Sequence, residues 1–81
     1  MKPATVIQHP IHGIGIVNYD ILVQDKTFCL FGGETRRLEI AVKNSELKAV
    51  DPIDLSPDQA TDVIYLMQWK IVQLVEDSNI F

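Results

Sequence analysis

Four side chains in this sequence carry the chemistry of a reactive or metal-holding site: His9, His12, Asp20 and Cys29. The two histidines flank Pro10-Ile11, and a turn that brings both imidazoles to one side supplies two metal ligands. A zinc-type site takes three or four donors and a supporting shell. Cys29 or Asp20 would have to join the histidines, and nothing in the spacing requires it. The histidines are therefore read as groups that hydrogen-bond the turn and lock it. Cys29 and a histidine also form a nominal nucleophile–base pair. Cys29, however, lies inside the apolar run Thr27-Phe28-Cys29-Leu30-Phe31, where a thiol is an inert core residue.

The remaining motifs are equally bare. Gly13-x-Gly15 has no third glycine opening a helix, so it is not a dinucleotide fingerprint. Gly32-Gly33 lacks the Lys-Ser/Thr of a phosphate loop. Arg36-Arg37 is the sole basic doublet, and Glu34 and Glu39 flank it as on a solvated strand edge. The reading is no enzyme, no catalytic residue, no metal and no cofactor.

The bulk properties point the same way. Eighty-one residues make one domain with a small interior. A hydrophobic fraction of 47% is generous for so short a chain, so apolar side chains should stay outside, available to a partner. Seven basic residues against eleven acidic ones, a net charge of −4, disfavour nucleic acid and anionic membranes alike. Cys29 stands alone, so no internal disulfide is possible. Met1 to Thr5 lacks a signal peptide's apolar run, and no stretch approaches the roughly 20 apolar residues of a membrane span. A cytoplasmic location is expected.

These residues need elements to hold them. Thr5–Gln8, Ile16–Val23, Thr27–Phe31, Thr35–Val42 and Leu47–Val50 read as five short strands, separated by turns at His9–Gly15, Gln24–Lys26, Gly32-Gly33 and Lys43–Glu46. In the fourth strand Leu38, Ile40 and Val42 share one face, opposite Arg37, Glu39 and Ala41. Ser56 is a helix N-cap, Pro57 takes the first helical position and Gln59 completes a capping box, with a helix running to about Asp77. The expected fold is mainly β (β+α): a five-stranded SH3/Tudor-like small barrel over residues 1–51. A linker and one C-terminal amphipathic α-helix follow over residues 52–81.

Within the helix, Ala60, Val63, Ile64, Met67, Ile71, Leu74 and Val75 fall on one stripe, expected to pack on the barrel or on the residues that follow. Tyr65, Trp69 and Val72 form a second apolar row at i, i+4 and i+7, and Leu66 sits inside the polar row of Gln59, Asp62, Lys70, Gln73 and Asp77. A helix apolar on more than one side is buried on more than one side. The second row therefore meets either another copy of the chain, a different protein, or the barrel rim. Ile80-Phe81 adds apolar surface that docks on the barrel or stays loose.

The segment Ile7-Gln8-His9-Pro10, then His12-Gly13-Ile14-Gly15-Ile16-Val17, resembles the opening of small bacterial Tudor-like barrels. These are the RNA-polymerase-interacting domain of the CarD regulators and the transcription-repair coupling factor, and the C-terminal Tudor-like domain of UvrD/PcrA-type helicases. The run Ile40 to Val50 is similar to the closing strand and turn of the CarD-type domain. The resemblance covers residues 4 to 51 and implies a protein-docking module, with RNA polymerase as partner. Departures are the short Asp20–Lys26 region, the acidic balance, and a helix unlike the basic, DNA-contacting helices of CarD.

The expectation is thus a non-catalytic protein-interaction module in transcription or repair. Its partner-binding candidates are Tyr65, Trp69 and Val72, then His9, Pro10 and His12. Two alternatives stand beside it: a structural homo-oligomer or subunit of a larger complex, and a nucleic-acid-binding barrel using Arg36, Arg37 and Lys43.

Overall fold

The computed structural model describes residues 1–78; the docking expected of Ile80 and Phe81 lies outside the described residues. Five strands follow one another: β1 (Val6–His9), β2 (Gly13–Ile21), β3 (Lys26–Gly32), β4 (Arg37–Lys43) and β5 (Lys48–Ala49). Short 3-10 turns cover Leu22–Gln24, Asn44–Glu46 and Pro52–Asp54, and α1 (Pro57–Ser78) is the last element of the described residues. The sheet is antiparallel throughout, in the order β4-β3-β2-β1-β5. This is the expected mainly β architecture with a C-terminal helix.

The topology forces the sheet to curl. β4 and β5 are its two edges, about 19 Å apart were the sheet flat, at the usual strand spacing. Only Asn44 to Leu47 join them, a connection reaching roughly 13 Å with one 3-10 turn in it. The edges must approach, and the strands wrap into an incomplete barrel.

Alternation then sorts the side chains onto two faces. Ile7, Val17, Cys29, Phe31 and Val42 form one buried cluster, with Leu38, Ile40 and Leu47 packed against it. Val6, Ile16 and Leu30 point the other way and meet Val63 and Leu66 of α1. The first cluster fills the curl, and the second is the layer between sheet and helix. Gly15 is needed where β2 crosses β3: a Cβ there would strike the Phe31 ring and the Leu30 carbonyl. Gly32 leaves β3 at φ +119, and Gly33 donates its N–H to the Arg36 carbonyl at 2.8 Å, closing the expected glycine turn.

Several boundaries differ from expectation: β4 begins at Arg37 rather than Thr35, and β5 keeps only Lys48–Ala49 of Leu47–Val50. β2 begins at Gly13 and ends at Ile21, and its register shifts between Val17 and Tyr19. Leu22–Gln24 tighten into a 3-10 turn and Asp25 adopts φ 52, so the hairpin tip falls earlier than Gln24–Lys26. The helix start is as expected. Ser56 Oγ accepts from the Gln59 N–H at 3.2 Å, and Gln59 Oε1 accepts from the Ser56 N–H at 3.0 Å.

The larger correction concerns the face of α1. Of the stripe expected to pack on the barrel, only Val63 is buried; Ala60 and Met67 are half-buried, and Ile64, Ile71, Leu74 and Val75 are exposed. The helix instead turns Leu66, Lys70 and Gln73 of the polar row toward the sheet, while Asp62 and Asp77 stay exposed. Leu66 is fully buried, Lys70 Nζ donates to the Asn18 carbonyl and side chain, and Gln73 donates to Glu39. The physical reason lies in the sheet. Beside Ile16 and Leu30, the surface beneath α1 presents Asn18, Arg37 and Glu39, and a mixed helix row satisfies these groups where an aliphatic one would strand them.

Candidate protein-interaction surface

The histidine turn is a built structural lock. His9 is only 4% exposed, and its Nδ1 accepts from the N–H groups of Ile11 at 3.1 Å and His12 at 3.3 Å. An accepting Nδ1 places the proton on Nε2, which faces Glu46 Oε2 at 3.3 Å. That contact ties the end of β1 to the connection closing the curl. His12 stacks on His9 with ring centroids 4.8 Å apart, and Phe31 lies 5.1 Å from His12. Among the expected partner-binding residues, His9 is thus enclosed, His12 half-buried, and Pro10 exposed together with its neighbour Ile11.

Cys29 is buried and unpaired, and burial, reinforced by the Asp20 charge, pushes its thiol up to about 11. A thiol so held is a poor nucleophile at neutral pH. Asp20 accepts a hydrogen bond from Thr27 and contacts the N-terminal amine at 3.0 Å. The amine first, then Thr27, holds its carboxyl below the ordinary range. Neither residue joins the histidines: among the described residues, no group of three or more His, Cys, Asp or Glu is placed to hold a metal ion.

The basic residues do not converge either. Arg37 stacks over Trp69, its guanidinium carbon 5.6 Å from the ring centroid. Arg36 lines a shallow depression shared with Glu34 and Asp62, and Lys43 sits opposite Lys26 in the β3–β4 ladder. Among the described residues, no helix is long and apolar enough to cross a membrane.

The row Tyr65, Trp69 and Val72 is split. Trp69 is half-buried against the helix–sheet cluster and capped by Arg37, Tyr65 is half-buried, and Val72 is open. The most exposed apolar face of α1 lies beside it: Ile64 (57%), Ile71 (60%), Leu74 (58%) and Val75 (55%). Sequence reasoning grouped these residues on one stripe; their expected packing on the barrel is not found, since they lie on the open side of α1. It also missed Leu22 and Val23, which stand 89% and 97% exposed at the β2–β3 tip. Their place in a tight 3-10 turn, rather than at a strand end, is the local feature that turns both outward. Compared with protein-family models, curated proteins and solved structures, the chain matches none of them.

Proposed function

We propose that the chain is a non-catalytic protein-interaction module acting in the cytoplasm, with the outward face of α1 as its docking surface. One observation supports this above the rest: Ile64, Ile71, Val72, Leu74 and Val75 are all more than half exposed on one helix. A surface helix normally sets polar residues on its solvent side. A contiguous apolar face of this kind marks an interaction site. RNA polymerase, or machinery associated with it, is the partner suggested by the resemblance of the His9–Val17 turn.

The test is binding of immobilised chain to purified bacterial RNA polymerase and to host extract, beside the variant Ile71→Asp. The reading expects a protein retained by the native chain and lost from the variant, with the variant's circular dichroism unchanged. Equal retention by both would remove α1 as the docking face.

A further inference from the structure

We infer that the occupant of this face is a second copy of the same chain, so that two α1 helices pair side by side in a homodimer. The inference rests on reading the face as a docking surface and names what covers it. Three observations carry it.

The first is spacing. Ala60, Ile64, Met67, Ile71 and Leu74 follow one another at intervals of 4, 3, 4 and 3. That is the heptad repeat of helices that pair with helices. Ile64 and Ile71 take one heptad position; Leu74 and half-buried Met67, which also packs on the helix–sheet cluster, take the other, both unbranched at Cβ. β-branched residues at the first position and leucine-like residues at the second favour parallel two-stranded pairing.

The second is charge. The charged residues of α1 are Asp58, Asp62, Lys70, Glu76 and Asp77. At the helical period all five fall on the half of the helix centred on buried Leu66, which faces the sheet. The outward half carries none. On a chain of net charge −4, such a face selects a partner surface that is itself apolar and uncharged, and α1 of another copy is one. Exposed Gln68, in the middle of this half, is polar but uncharged.

The third is area. Five aliphatic residues, each more than half exposed, present on the order of 500 Å² per chain. Complete burial of both faces would remove about 1,000 Å², the lower bound of a specific interface. The isologous geometry doubles every contact.

Sedimentation equilibrium of the full chain, with Ile71→Asp, Leu74→Asp and the tip variant Val23→Asp, tests the inference. The expected result is a native mass twice 9.2 kDa, and a dissociation constant raised about a hundredfold or more by either helix variant, since a charge would enter the seam. Val23→Asp should leave the dimer intact. A native chain that stays monomeric up to about 1 mM, or a dimer broken by Val23→Asp and untouched by Ile71→Asp, would overturn the inference. A monomer that still loses a captured protein on Ile71→Asp leaves the docking face standing and removes only the second copy from it.

Discussion

Lys70 Nζ lies 2.7 Å from Asn18 Oδ1 and 3.1 Å from the Asn18 carbonyl, so one ammonium clamps the middle of α1 to the centre of β2. Charge-assisted hydrogen bonds contribute more than neutral ones, about 1.5–3 kcal/mol where shielded. Lys70 is half-buried, so the low end applies. Lys70→Met keeps the stem and removes the donor; the expected loss is about 1–2 kcal/mol in urea unfolding. No change in midpoint would mean that the clamp is ornamental.

Leu66 and Ile71 sit on one helix and test its orientation. Leu66 is fully buried between α1 and the sheet, whereas Ile71 faces outward. Leu66→Ala should cost about 2–5 kcal/mol. Ile71→Ala should stay within roughly 0.5 kcal/mol, measured at concentrations low enough to exclude association. The opposite ranking would mean that α1 is rotated by about half a turn.

His9 holds the β1–β2 turn through two backbone donors and reaches Glu46 with its other nitrogen. His9→Ala strands the N–H groups of Ile11 and His12 and opens the end of the curl beside Phe31. A loss of about 1–3 kcal/mol is expected, along with altered near-ultraviolet circular dichroism. A fully stable variant would show that Pro10 alone sets the turn.

Cys29 should resist thiol reagents in the folded chain at pH 8 and react at once in urea. Its folded-state value of about 11 stands above the ordinary 9.0, so the folded chain binds the proton more tightly. The associated stability is whole below about pH 9 and fades as pH rises toward 11. Rapid labelling without denaturant would contradict the burial.

The strands and the helix were legible because each carries its own local signal. β-branched runs broken by Gly13, Gly32 and Gly33 delimit the sheet, and the Ser56–Gln59 box marks the helix start. The direction in which α1 faces was not legible. Periodicity reports which residues share a face, while the face chosen depends on what the sheet offers, and Asn18, Arg37 and Glu39 come together beneath α1 only after folding. For the same reason Leu66, isolated among polar neighbours, gave no sign of being the helix's most deeply buried residue. The His9 lock was foreseeable from residue type; its link to Glu46 was not, since 37 positions separate the two residues in the chain.

The sheet is wetted by oil on both sides. One layer, around Ile7, Val17, Cys29 and Phe31, is drawn from strands and the closing connection alone; the other needs Val63 and Leu66 from α1. The chain therefore has an inner shell that can persist after its outer shell peels away. Amide protons of β2 and β3 opposite Cys29 should exchange last, and those of α1 should exchange first among the hydrogen-bonded amides, each layer reporting its own opening.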